Sequence, residues 1–263
     1  MFSLARFLRL ARAQWAEQGR VYLWFLAAGA ILHVFILMFY LASEEGWLAF
    51  TTDDQASHFY IGLFLLAPIF AGRYFAMMAR RDTALLVLVR PASTLEKWLL
   101  AVATVALAYP LAFSLVYYLI DLPAAFLANS AAAEALARPG IKAGTYDLAD
   151  YQLFNPLAKL SWEVALEITL ILGTLQAFAM FGSLYFRTMP FIKTLFAAFM
   201  VLLAVIFLAV SLDASPEILF SFWSGTVPKT ALQENLFPLI WFGAPALLWF
   251  ATYRVLKERE ISP

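Results

Sequence analysis

Six apolar stretches leave this chain few possible folds. They run over residues 21–42, 59–79, 98–120, 162–186, 191–212 and 236–256. About 20 apolar residues in a helix cross the hydrocarbon core of a bilayer, and a helix satisfies its own backbone polar groups there. The sequence therefore predicts an all-α integral membrane protein, a single transmembrane domain over 1–263 with six spans. The fifth and sixth stretches carry no charge at their centres, whereas Glu163 and Glu167 stand at the start of the fourth. Tyr109-Pro110 predicts a kink in the third, because proline removes a rung of the helical ladder. The first stretch reads as a span rather than as the core of a cleaved signal peptide, being longer than 7–15 residues.

Composition narrows the function classes. The chain is 63% hydrophobic and 14% charged, with 18 basic and 18 acidic residues and no cysteine. A soluble domain carries about 25% charged residues. The zero net charge argues against a nucleic-acid partner, and the lack of cysteine removes disulfides, thiol nucleophiles and cysteine-held metals. No H-E-x-x-H and no G-x-S-x-G occurs. Gly225-Thr226-Val227-Pro228-Lys229-Thr230 lacks the glycine that precedes the lysine of a phosphate-binding loop. The expectation is a chain that binds no cofactor or metal and is not an enzyme by itself; any ATP and Mg would be held by a partner subunit.

The basic residues fix an orientation, since cytoplasmic loops are enriched in Lys and Arg. Arg6, Arg9, Arg12 and Arg20 precede the first span, and Arg73, Arg80, Arg81, Arg90 and Lys97 cluster around the connection between the second and third. Arg187 and Lys193 lie between the fourth and fifth spans, and Arg254, Lys257 and Arg259 end the sixth. The opposite side holds only Arg138, Lys142, Lys159 and Lys229. Both termini are predicted to be cytoplasmic, in the inner membrane of a bacterium.

Three segments outside the spans carry information. Residues 2–18 form an amphipathic helix with Leu4, Phe7, Leu8, Ala11 and Trp15 on one face and Arg6, Arg9 and Arg12 opposite. Such a helix lies in the membrane interface and contacts lipid headgroups, either as a plain anchor or as an elbow that also touches a cytoplasmic partner. Residues 80–97 begin with Arg80-Arg81-Asp82, continue through the apolar Thr83–Val89 with Leu85, Leu86 and Leu88, and turn at Arg90-Pro91. Ser93-Thr94-Leu95-Glu96 is a capping box that starts the third span. Residues 121–161 are predicted to form an external loop, with a helix-prone Ala124–Ala137 that could build a small cap. Ser215-Pro216-Glu217 reads as the start of a short outer helix.

Ionisable residues inside spans are costly and are candidates for function. His33 stands mid-span, either bonded as a neutral imidazole to a neighbouring helix or as part of a path. Glu163 and Glu167 share a helix face at i, i+4 and either line an exit path, attract cations or contact water. Arg73 can snorkel to the interface.

This layout resembles the permease subunit of type-2 ABC exporters over nearly the whole chain. The correspondence rests on the basic N-terminal helix, the six spans, the bracket between spans two and three, the outer helices before span six and the basic tail from Tyr253 to Glu260. Arg81-Asp82 and Pro91-Ala92-Ser93…Glu96 match that family's cytoplasmic bracket, although Asp82 stands near the place of a Glu-x-x-x-Gly element and no glycine follows. The resemblance implies a coupling helix at Thr83–Val89 that docks on an ATP-binding subunit. It makes Arg80, Arg81, Asp82 and Arg90 flanking contacts, with the elbow at Arg6–Trp15 bracing the same surface. It also implies two such ATPase subunits and a second permease chain, identical or paralogous. By analogy the first, second and fifth spans line a path for a hydrophobic or amphipathic substrate. A cation- or proton-coupled carrier using Glu163, Glu167 and His33, and a non-ABC membrane enzyme or assembly scaffold, are the competing expectations.

Overall fold

The computed structural model describes residues 2–75, 90–139, 145–156, 162–186, 188–211 and 231–261, and all regular structure among them is helical. The helices are α1 (Leu4–Ala42), α2 (Thr52–Tyr74), α3 (Thr94–Val102), α4 (Tyr109–Leu136), α5 (Trp162–Tyr185), α6 (Pro190–Ser211) and α7 (Ala231–Ile261). A π-helical segment, Ala103–Ala108, joins α3 to α4, and two 3-10 turns occupy Gly46–Ala49 and Leu148–Tyr151. Among the described residues, four helices are long and apolar enough to cross a membrane: α1, α2, the continuous Thr94–Leu136 rod and α5. Helices α6 and α7 occupy the fifth and sixth predicted stretches. Trp24, Ile31, Phe35 and Phe39 of α1 and Leu195, Phe196 and Phe207 of α6 are exposed. Soluble monomers rarely expose contiguous apolar surface on this scale.

Two expectations need correction. The N-terminal amphipathic segment is not a separate elbow, because α1 runs for 39 residues through the expected break. Nothing in Ala13-Gln14-Trp15-Ala16-Glu17-Gln18-Gly19-Arg20 stops it. There is no proline, and a single interior glycine costs a helix only about 1 kcal/mol relative to alanine. The second correction concerns the third span, which continues past Ile120 to Leu136 and so takes Asp121 and Pro123 into a helix. The helix-prone Ala124–Ala137 is therefore continuous with the helix of the third span, and α4 ends at Leu136. Pro139 and the turn beside it follow that end, as expected for a residue that cannot continue the ladder.

The predicted kink at Tyr109-Pro110 takes a specific form. The π segment ends one residue before Tyr109. In an i→i+5 ladder the Val105 carbonyl would look to the amide of residue 110, and proline has none. Gln176 of α5 supplies the missing donor, with its Nε2 2.8 Å from the Val105 oxygen.

The chain divides into two compact units. The first comprises Met1–Ala16, Ala67–Leu107 and Leu160–Pro263; the second comprises Glu17–Leu66 and Ala108–Lys159. In the first, α5 packs against α6 and α7, and α7 packs against α3. Trp98 Nε1 donates to the Trp249 carbonyl at 3.0 Å, and Arg259 donates to the carbonyl of Leu184 in the last turn of α5. A Cβ on Gly182 would overlap Thr194, so glycine is required where α5 and α6 cross. In the second, Ala124, Ala128 and Ala132 form a small-residue stripe on α4 that packs against Phe50, Tyr151 and Leu37. Small side chains let the two 3-10 turns approach the helix closely.

Candidate functional site

The capping box at Ser93–Glu96 forms as the sequence predicts. Ser93 Oγ accepts from the Glu96 amide at 3.3 Å, and Glu96 Oε2 accepts from the Ser93 amide at 2.8 Å. What the sequence does not reveal is the other oxygen. Glu96 Oε1 accepts the Ser3 backbone N–H at 2.7 Å and the Arg6 guanidinium at 3.1 and 3.3 Å. The carboxylate is fully buried and satisfied from three directions. The Ser93 backbone bond, followed by the Ser3 amide and the Arg6 charge, outweighs burial and holds Glu96 down at about 2. It is a permanent anion under physiological conditions.

A second bond parallels the first. Arg90 Nη1 donates to the buried Gln14 Oε1 at 3.0 Å. Together these contacts clamp the first three turns of α1 onto the approach to α3. The helix presents three faces. Arg6, Leu10 and Gln14 face the protein. Leu4, Leu8 and Trp15 form an exposed apolar stripe, and Arg9 and Arg12 an exposed cationic one. The sequence expectation of one apolar and one basic face is thus refined, because Arg6 leaves the basic face to bind Glu96. Pro91 lies in the bend before the cap. Arg80, Arg81, Asp82, Thr83, Leu85, Leu86 and Leu88 lie outside the described residues, as do Ser215-Pro216-Glu217 and Gly225–Thr230.

A second polar constellation sits in the other unit. His33 of α1 is buried, and its Nε2 lies 3.1 Å from Oδ1 of Asp121, which is fully buried on α4. This agrees with the reading of His33 as bonded to a neighbouring helix. The Asp121 partner was hidden by its place just after an apolar run, where it resembles a loop residue. The signal that finds it is spacing: Tyr117, Asp121, Ala124, Ala128 and Ala132 repeat every three or four residues and are all buried. The Tyr117 ring packs on His33 at 4.3 Å between centroids, and its hydroxyl donates to the Gln55 carbonyl at 2.7 Å. Gln55 in turn accepts from the Phe154 amide at 2.8 Å and donates to the Gln152 carbonyl at 3.2 Å. Thr52 Oγ1 donates to the carbonyls of Asp150 and Gln152 at 2.9 and 2.8 Å. A polar spine thus runs from α1 through α4 and α2 to the segment after the second 3-10 turn.

A cavity of about 50 Å³ adjoins the spine, lined by His33, His58, Tyr117, Phe113, Gly29 and Gly62 among others. A Cβ on Gly29 would meet Leu66 at 3.0 Å and one on Gly62 would meet Phe113 at 3.0 Å, so both glycines keep its walls close.

The remaining candidates lie on α2 and α5. Glu167 is 3% exposed on α5, in the first unit, so in this chain it does not simply contact water. Glu163 lies on the same helix one turn earlier, with its side chain outside the described residues. Arg73 is exposed in the last turn of α2. Among the described residues, no three His, Asp or Glu side chains are placed to hold a metal ion. No family model matches the chain, and neither a curated protein nor a solved structure matches it.

Proposed function

We propose that the chain is the permease subunit of an ATP-driven exporter of the type-2 ABC kind, with six spans, both termini cytoplasmic and a coupling segment at 80–97. The clamp around Glu96 supports this reading more than any other observation. A coupling element passes on force only if its ends are fixed. Arg90 and Glu96, at the C-terminal end of that segment, are both tied to α1, through Gln14 and through Arg6 and Ser3. The ties make one mechanical element of the basic N-terminal helix and the bracket. An apolar segment rimmed by charge, as at Thr83–Val89 between Arg81-Asp82 and Arg90, is the chemistry of a docking knob. ATP and Mg belong to two ATPase subunits beneath a pair of permease chains, and the substrate is hydrophobic or amphipathic.

The test is co-purification of the tagged chain from its native host. An ATPase subunit should come with it, and Arg81→Glu or deletion of Thr83–Val89 should release or uncouple that subunit. Transport by the purified chain alone would overturn the reading. The buried Glu167 favours one second reading, a cation- or proton-coupled carrier. Glu163→Gln with Glu167→Gln separates the two: a carrier loses driving-ion coupling, whereas an ABC permease keeps ATP-dependent transport.

A further inference from the structure

The His33–Asp121 pair is satisfied on one side only. Asp121 Oδ1 meets His33, but Oδ2 is buried with no hydrogen-bond partner among the described residues. A buried carboxylate with an unmatched oxygen is expensive, and an acid facing a histidine lowers that cost by holding a proton between them. With one proton the pair is neutral overall, whether the proton sits on imidazole or on carboxyl. Losing it leaves a buried anion, and gaining a second leaves a buried cation.

The surroundings provide a route to this pair. Asp54, partly exposed near the start of α2, faces the Tyr40 hydroxyl. That hydroxyl is 3.5 Å from His58 Nε2, and His58 Nδ1 has no hydrogen-bond partner among the described residues. His58 and His33 line the same cavity, which is large enough for water and whose polar lining, in otherwise apolar walls, is these two histidines and Tyr117. The other titratable groups facing the site are Tyr117 and Tyr118 of α4 and Tyr60 of α2. The route thus leads from a half-exposed carboxylate to a fully buried one. On the far side, Tyr117 and Gln55 lead to the backbone of Gln152 and Phe154.

We propose that His33 and Asp121 form a proton-binding site, reached through Asp54, Tyr40 and His58, whose occupancy is transmitted by Tyr117 and Gln55 to the segment 145–156. When the proton leaves, the charge on Asp121 pulls the Tyr117 hydroxyl away from the Gln55 carbonyl. That carbonyl belongs to the main chain of Gln55, and its displacement loosens the hold of the Gln55 side chain on residues 152 and 154. The site stands whether or not the chain is a permease, and its test needs neither an ATPase nor a substrate.

The experiment is infrared difference spectroscopy of the purified full chain in lipid across a pH series, with hydrogen exchange of peptide 145–156 on the same samples. In the wild type we expect a pH-dependent carboxyl band. Exchange of 145–156, corrected for its intrinsic pH dependence, should change about fivefold, the effect of losing one hydrogen bond. Asp121→Asn should abolish both. Tyr117→Phe should keep the band and abolish the exchange response, which a merely structural tyrosine would not do. A wild-type protein with no pH-dependent exchange at 145–156 overturns the proposal even if every variant misfolds. A carboxyl band that survives Asp121→Asn overturns it as well.

Discussion

Two buried carboxylates, Glu96 and Asp121, solve the same problem differently. Both are fully buried in a chain with few polar groups to spare. Glu96 sits at a helix N-terminus, where amides without intrahelical partners point at it, and it adds the Ser3 amide and the Arg6 guanidinium. Asp121 sits mid-helix, where the backbone offers no donors, and among the described residues its hydrogen bond is to His33 on one oxygen. A helix end can saturate an anion; a helix interior cannot. The first carboxylate is therefore a fixed fastener. The second is left with a choice of protonation state.

Isosteric amides test this difference most directly. Glu96→Gln should produce a larger loss of thermal stability than any of the other replacements below. An amide offers one acceptor oxygen, so its NH2 must face a Ser3, Arg6 or Ser93 donor whichever way it turns. Asp121→Asn should cost far less, because the amide keeps an acceptor for His33 and places a donor where Oδ2 stood. Unfolding temperatures in detergent that rank the two the other way would reverse the assignment.

Next in size are the single and paired replacements at the second site. Asp121→Leu alone strands His33. The double variant His33→Leu with Asp121→Leu removes the whole pair, and we expect it to be more stable than the single variant by about 3–5 kcal/mol, the cost of stranding one partner. A double variant no better than the single would show that the pair holds the helices together. Ser93→Ala tests the cap without touching the carboxylate, and should cost about 1 kcal/mol, read from the unfolding midpoint.

The smallest effect near neutrality is that of pH on the clamp. Glu96 is held at about 2, below its ordinary 4.5. The clamp's contribution is thus fully present above about 4.5 and is lost as pH falls toward 2. Hydrogen exchange of residues 4–14 should be insensitive to the Glu96 charge from neutral pH down to that window, and should then rise. Release of α1 at mildly acidic pH would mean that the carboxylate is less well satisfied than its bonds indicate.

Particular residues show where the sequence was legible. The apolar runs located the helices, because burial in lipid leaves a signal in every residue of a span. Ser93 and Glu96 announced their capping box, because a box is local and its spacing is fixed. Proline at 110 announced a break in the ladder but not the π segment, nor that Gln176 would serve the freed carbonyl, since that donor is 71 residues away. The continuity of α1 through Arg20 and of α4 through Asp121 was missed for a common reason. Arg20 and Asp121 are polar, and hydropathy scores a polar residue as a boundary whether or not the helix continues through it. Polarity reports what a side chain costs in lipid, and the backbone has no reason to stop there.

Helicity, an apolar content suited to a bilayer and the loops that carry positive charge all followed from the amino-acid sequence alone. Those properties add up residue by residue, so no partner needs to be known. The folded chain was needed to show that Arg6 serves Glu96 rather than lipid, that Gln14 receives Arg90, and that His33 meets Asp121. A buried polar group must find its partner in space, and at separations of 76 to 90 residues nothing in the local sequence says which one it will be.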